Sequence, residues 1–292
     1  EETGRNYGGF GHTGKESVDH LFTDEPSTNA AASEPAVKLA VCVLASGSKG
    51  NAIHVSDGQT AFLIDAGLSG VEIERRLGSR GLAPDRLQAI IVSHEHADHI
   101  NGVGVLSRRY RLPVYLNRKT AGAAKRIGRL HCVNTFDCGT VFHIDNLHIH
   151  PFSLSHDAED PAGFTVQTNG IKIGLATDLG VVTEMVTEHL KGCRALILEA
   201  NHDTRMLIDG PYPWPLKQRI QSRLGHLSNT DSRQLLCEVA HADLEHVILA
   251  HLSETNNTPD TALNAIAPAL TGTLTRFEVA VQNRCTEIVC LR

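Results

Sequence analysis

The chain has 292 residues, 41% of them hydrophobic and 21% charged, proportions of a soluble globular protein able to bury one large core or two smaller ones. No apolar run approaches the roughly 18 residues needed to cross a membrane, and the N-terminus lacks the basic-then-apolar order of a secretory signal, so a cytoplasmic location is expected. The formal charge of −6 is unevenly placed: residues 1–37 carry seven acids and two bases, leaving 26 acids and 25 bases beyond them. The body is therefore near neutral and able to hold a local basic face, so charge does not exclude nucleic acid.

Residues 1–37 are rich in glycine, serine, alanine and acids without apolar periodicity and are expected to be a disordered acidic tail, in which His12 and His20 are solvated. A single folded domain is expected over 38–292. "LAVCVL" (39–44), "AIHVS" (52–56) and "TAFLID" (60–65) read as short strands separated by glycine-rich turns. "SGVEIERRLGSRG" has helical spacing and ends on glycine. A strand "LQAIIVS", a histidine-rich loop, a helix "INGVGVLSRRY", a strand "LPVYL" and a helix "RKTAGAAKRIG" follow. "VFHI", "LHIHPFSL", "GFTVQT" and "IKIGLAT" read as successive strands. The last third alternates helix 181–191, strand "RALILEA", helices around 203–224 and 230–241, and strand "HVILAHL". Thr258 and Pro259 open a further helix as N-cap and first-turn proline, and two strands close the chain. This order predicts sheets packed face to face with helices outside. The seven cysteines are scattered without a CxxC pair, which predicts reduced and mostly buried thiols.

"VSHEHADHING" (92–102) places His94, His96, Asp98 and His99 directly after an apolar strand. Two positions apart on a helix, His94 and His96 would point about 200° away from each other, so they converge only on a loop. A HExxH zinc helix is excluded, because Asp98 stands four residues after His94. Imidazole and carboxylate donors suit zinc, manganese or iron, and the lack of cysteine argues against a purely structural zinc site. Four donors in so short a loop crowd a single ion, whereas two ions sharing a carboxylate would use them all. Further donors stand at later strand ends: His156, Asp178 and His251.

HxHxDH followed by strand-end His, Asp and His resembles the metallo-β-lactamase superfamily, and "LIDAG" with Asp65 resembles its supporting aspartate motif. The resemblance covers roughly 39–292 and implies a four-layer αββα sandwich. It implies one divalent ion on His94, His96 and His156, a second on Asp98, His99 and His251, Asp178 bridging them, and Asp65 orienting a ligand histidine. A metal-bridging hydroxide would then act as nucleophile on an ester, amide, thioester or phosphodiester.

Glu199 in "LEANHD" and His226 in "GHLSN" resemble the pair of the superfamily's phosphodiesterase branch, typified by the tRNA 3′-processing endonuclease, where the histidine protonates the leaving oxygen. His226 also suits a plain helix cap. The stretch "NHDTRMLIDGPYPWPLKQRIQSRLGHLSN", with "ASGSKGNA" and "AHLSETNN", resembles the YycJ/WalJ family. That resemblance implies a 5′-to-3′ exonuclease acting on DNA, typically with manganese. The alternatives are a cyclic phosphodiesterase or an acyl (lactone or thioester) hydrolase on the same fold. A redox di-iron protein, or a binding protein that keeps metal without turnover, fits less well. Lys217, Arg219 and Arg223 are candidate phosphate ligands on a helix running toward His226. Arg108, Arg109, Arg111, Arg118, Lys119, Lys125, Arg126 and Arg129 form a second basic cluster or an ordinary solvated face. Trp214 and Tyr212 are candidates to stack on a base or to anchor packing. "SGSKGN" (46–51) offers either a small phosphate-binding nest or a tight turn.

Overall fold

Side chains on a strand alternate between its two faces, so a strand apolar on both must be covered on both. "LAVCVLA" is such a strand: Leu39, Val41 and Val43 enter one apolar cluster, Cys42 and Leu44 another, and all are buried. The computed structural model describes residues 39–292; the acidic stretch 1–37, with His12 and His20, and Lys38 at the expected domain start lie outside them.

In chain order the first half comprises β1 (Leu39–Ala45), β2 (Ala52–Ser56), β3 (Ala61–Ile64), α1 (Gly70–Ser79), β4 (Ala89–Ile91), α2 (Ala97–Ile100), α3 (Val103–Tyr110), β5 (Pro113–Asn117), α4 (Arg118–Ala123) and β6 (Cys132–Phe136). The second half comprises β7 (Phe142–Ile144), β8 (Leu147–Ser153), β9 (Ala162–Thr168), β10 (Ile171–Ala176), α5 (Glu184–Leu190), β11 (Ala195–Glu199), α6 (Thr204–Asp209), α7 (Trp214–Ile220), α8 (Asn229–Val239), β12 (His246–Ala250), α9 (Pro259–Ile266), β13 (Arg276–Val279) and β14 (Val289–Leu291).

Two seven-stranded sheets result, ordered β14-β1-β2-β3-β4-β5-β6 and β13-β12-β11-β10-β9-β8-β7. Each is an antiparallel meander continued by parallel strands: β3, β4, β5 and β6 in the first, β10, β11, β12 and β13 in the second. Between the sheets lie Phe62, Ile64 and Ile91 from one and Phe164, Ile173, Ile197 and Ile248 from the other. Outside the first sheet, Ile73 and Leu77 of α1 and Val103 and Leu106 of α3 cover Leu63, Ile90 and Val114. Outside the second, Val186, Leu190, Leu235, Leu236 and Ile266 of α5, α8 and α9 cover Leu196, Leu198 and Leu249. No helix in this set exceeds the 11 residues of α8, and isolated helices below about 12–15 residues are marginal. Burial, at roughly 1.5–3 kcal/mol per large apolar side chain, therefore holds them rather than propensity. The layers are those of the expected αββα sandwich.

Some local expectations change. β6 was not anticipated, because as an edge strand it buries only Phe136 and shows no alternation. The helical region expected around 203–224 is α6 and α7, separated where Gly210, Pro211 and Pro213 intervene and Pro213 is the N-cap of α7. Thr258 does cap α9, its Oγ1 accepting the Thr261 amide at 3.1 Å. All seven cysteines are free, but only Cys42, Cys193 and Cys285 are buried; Cys132, Cys237 and Cys290 are exposed, against expectation. Among the described residues no helix is long and apolar enough to cross a membrane.

The loops after β3, β4, β8, β10, β11 and β12 leave the carboxyl ends of their strands, the edge at which open α/β sheets bind ligands. Those loops, with the end of β11, carry Asp65, the histidine loop, His156, Asp178, Glu199 and His251.

Candidate metal centre

Asp65, immediately after β3, takes a left-handed backbone with φ 60°. Its amide donates to the Ile91 carbonyl at 2.8 Å, and its carboxylate accepts the Ser93 amide (2.8 Å), the Ser93 hydroxyl (2.7 Å) and His99 Nδ1 (2.7 Å). A carboxylate only accepts, so His99 carries its proton on Nδ1 and turns Nε2 toward the pocket. His94 Nδ1 lies 3.0 Å from the same hydroxyl. His96 precedes α2 and Asp98 and His99 ride on its single turn, so the loop includes one helical turn. Asp178 (φ 62°) and His251 (φ 55°) share the left-handed conformation, which costs a non-glycine residue on the order of 1–2 kcal/mol. Three such residues around one pocket are what a site that dictates its backbone would show.

These strand ends converge. In the sets His94/His96/His156, Asp98/His99/His251 and His94/His99/Asp178, one donor atom from each residue lies within 4.8 Å of the others. Asp178 reaches both sides, with Oδ2 3.4 Å from His99 Nε2, and Oδ1 3.4 Å from His251 Nε2 and 3.9 Å from His156 Nε2. His94 Nε2, His251 Nε2 and Asp178 Oδ2 are buried and have no hydrogen-bond partner. Buried polar atoms without partners are costly, and three aimed at one space fit cations held among them. Burial opposes charge on His99, but Asp65, Asp178 and Asp98 outweigh it and raise its imidazole to about 9. Burial also opposes charge on His251, but Asp178, Asp98 and Glu199 together outweigh it and raise the imidazole well above its ordinary value. Burial dominates at His94 and His156 and keeps both imidazoles neutral further into acid. Burial works against ionised Asp98 and Asp178, yet the neighbouring histidines hold both carboxyls below their usual range. His94 and His156 are thus neutral donors beside two ionised carboxylates, His99 and His251 would each give up a proton on taking a cation, and His96 stands beside them.

Glu199 ends β11 fully buried. Its Oε2 accepts the amides of Leu179 (3.0 Å) and Leu227 (3.2 Å), and its Oε1 lies 2.7 Å from His226 Nδ1 and 3.1 Å from His251 Nδ1. Burial disfavours a charged His226, but the Glu199 carboxylate overcomes it and raises the imidazole. His226 lines a cavity of about 210 Å³ together with Ser48, Tyr212, Arg219, His251 and Ser253.

The basic residues separate. Lys217, expected as a phosphate ligand, is buried and donates its ammonium to the carbonyls of Ile208 (2.6 Å) and Gly210 (2.7 Å); it ties α7 to the end of α6 instead. Arg219 lies at the cavity, with Nε donating to Asp157 Oδ2 at 2.7 Å. Arg223 is exposed in the turn after α7. In the second cluster Arg109 pairs with Glu74 and Arg108 donates to the Arg129 carbonyl, while Arg111, Arg118, Lys119, Lys125, Arg126 and Arg129 are exposed. Trp214 is 58% exposed, so it is not a packing anchor. The "SGSKGN" turn is no open nest: the amides of Gly47, Lys49, Gly50 and Asn51 are taken by Asn51 Oδ1, Gln282 Oε1, Gly47 O and Asp98 O.

Sequence reasoning missed several residues of the centre. Ser93 links Asp65 to His94 and His99, Asn51 Nδ2 lies 3.1 Å from His99 Nε2, and Asn201 Nδ2 donates to the His251 carbonyl at 2.8 Å. Asp157, adjacent to His156, places Oδ1 3.3 Å from His156 Nε2. Only the adjacency of Ser93 and Asp157 to ligand histidines was visible beforehand.

An αββα sandwich with histidine–aspartate clusters at the carboxyl ends of its strands defines a metal-dependent hydrolase of metallo-β-lactamase type. Residues 60–252 match the family described as the beta-lactamase superfamily domain. Over 231 residues the chain is 39% identical to "Exodeoxyribonuclease YycJ" of Bacillus anthracis, covering 78% of this chain and 88% of that protein. It is 36% identical over 246 residues to "Exodeoxyribonuclease WalJ" of Streptococcus pneumoniae, covering 81% and 91%. The chain belongs to the metallo-β-lactamase superfamily and, within it, to the YycJ/WalJ-like subfamily. The fold is shared with the metallo-β-lactamase fold protein YhfI from Bacillus subtilis at a TM-score of 0.66 and 16% identity, covering 85% of this chain and 98% of that one.

Proposed function

We propose that the protein is a metal-dependent exodeoxyribonuclease that removes nucleotides from the 5′ end of DNA. Two divalent ions, zinc or manganese with iron as a further option, would occupy the centre: His94, His96 and His156 hold one, Asp98, His99 and His251 the other, and Asp178 stands between. The chemistry such ions supply is Lewis acidity toward a phosphate and a nucleophile at neutral pH. Asp65 keeps His99 in the tautomer that presents Nε2.

The observation that carries a phosphodiester reading is the Glu199–His226 pair, 2.7 Å apart at the edge of the centre. A 3′-alkoxide is a poor leaving group, and a positioned acid that protonates it is worth typically 10²–10⁴-fold. Glu199 holds Nδ1, leaving Nε2 to give that proton. An acyl hydrolase with a good leaving group needs no such pair. The exodeoxyribonuclease names of relatives at 36–39% identity support DNA as substrate. Arg219 and Tyr212, lining the cavity beside His226, are placed to meet the leaving nucleotide. Seven free cysteines agree with a reducing, cytoplasmic setting.

Turnover of duplex DNA labelled at either the 5′ or the 3′ end, with manganese, zinc or chelator, tests the reading. Early release of the 5′ label as mononucleotide, abolished by chelator, is the expected result. Intact DNA with every metal, in protein carrying two ions per chain, would overturn it and direct the search to cyclic phosphodiesters and lactones.

A further inference from the structure

Asp157 borders the centre without a role in either ligand set, yet its carboxylate points toward one of them. Oδ1 is buried without a hydrogen-bond partner, 3.3 Å from His156 Nε2 and 3.9 Å from His96 Nε2. The approach to His156 is a charge contact rather than a hydrogen bond, and His96 Nε2 also meets the Asp157 backbone carbonyl at 3.2 Å. Donors about 2.0–2.2 Å from a common ion stand roughly 3–4 Å from one another, which matches both separations. The other oxygen, Oδ2, is fixed by Arg219, whose Nε donates at 2.7 Å from the cavity beside His226.

We infer that Asp157 Oδ1 is an additional ligand to the ion of His94, His96 and His156, and that Arg219 aims it there. The inference rests on the metal reading above. Three imidazoles with an open position suit tetrahedral zinc. Adding a hard carboxylate oxygen, with Asp178 also at hand, raises the coordination number above four and shifts the site toward manganese. The rim arginine that meets substrate and the ion that meets phosphate would then share one carboxylate.

The test is calorimetric titration of chelator-stripped protein with manganese and with zinc, with metal content measured on the reloaded protein. It compares the wild type, Asp157→Asn, Asp157→Ala and Arg219→Ala. Asn keeps the size and most of the hydrogen bonding of Asp, so it controls for folding. The expected result is that both Asp157 variants lose more than about tenfold in manganese affinity at one site, with a smaller loss for zinc, while Arg219→Ala loses much less. An unchanged manganese-to-zinc affinity ratio in both Asp157 variants would overturn the assignment. An Arg219→Ala variant that loses no manganese affinity at all would overturn the aiming role, because the oxygen would then be held in place without the arginine. A wild type that binds neither ion would instead sink the metal centre as a whole.

Discussion

At Asp178 two demands meet in one side chain. Its left-handed backbone is held despite its cost, and its oxygens stand 3.4 Å from His99 and His251 of one ligand set and 3.9 Å from His156 of the other. Removing them leaves His99 and His251 without the charge between them, so Asp178→Ala should abolish DNA cleavage and weaken both ions. His226 differs because Glu199 holds its Nδ1 at 2.7 Å, although one of its donor atoms also lies within 4.8 Å of those of Asp178, Glu199 and His251. His226→Ala should slow turnover by about 10²–10⁴-fold while two ions remain bound, measured as kcat beside metal content. Ion loss in that variant would make His226 a ligand rather than an acid. A buried histidine outside the centre carries a stability prediction. His54 lies opposite Cys42 and Leu63 in the first sheet, and burial lowers its pKa to about 4. Above pH ~6.5 folded and unfolded chains both hold it neutral and it contributes no slope. Between pH ~6.5 and ~4 only the unfolded chain takes the proton, so stability falls with acid, by up to on the order of 3 kcal/mol. Urea unfolding at pH 7 and pH 5 should show a shallower decline for His54→Leu than for wild type. Lys217 shows the limit of residue-level reading: its charge was visible in the sequence, but the two carbonyls that claim its ammonium were not.

Among the elements, the histidine loop is short and polar and would not hold its shape alone. The turn after β3 braces it: the Ala66 amide donates to the His99 carbonyl (2.9 Å), and the Gly102 amide returns to the Ala66 carbonyl (2.7 Å). The Asn51 amide meets the Asp98 carbonyl at 2.7 Å. Gly67 lies so close that an added Cβ would fall 1.6 Å from the Asp98 carbonyl oxygen, so backbone rather than a flexible tip must yield. Gly67→Ala should therefore displace Asp98 and His99, costing about 1–3 kcal/mol of stability and lowering affinity for the ion they hold. Thermal melts with and without metal check this, and a variant with unchanged metal affinity would refute the bracing role. The loop's chemistry was legible because histidines at strand ends announce themselves by position, and strands buried on both faces announce themselves by unbroken apolar runs. β6 escaped notice for the converse reason: an exposed edge strand lacks alternation.

Across the whole molecule the two ligand sets draw on both sheets. His94, His96, Asp98 and His99 follow β4 in the first, whereas His156, Asp178 and His251 follow strands of the second. An ion bound by His94, His96 and His156, or by Asp98, His99 and His251, cross-links the open edge of the sandwich, while the core packed between the sheets closes the rest. The apolar clusters involve neither set, so the sandwich should stay folded when stripped of metal and be weakest where the ligands meet. Metal binding to the folded chain alone stabilises it by RT ln(1 + [L]/Kd), about 2.7 kcal/mol at a hundred times Kd. Chelation should lower Tm by several degrees without loss of secondary structure. Faster amide exchange should then be confined to the segments around His94–Asn101, His156, Asp178 and His251, with β1, β2 and β9 still protected. Exchange that rises uniformly through both sheets would show that the ions hold the core together, contrary to a sandwich that closes on its apolar layers alone.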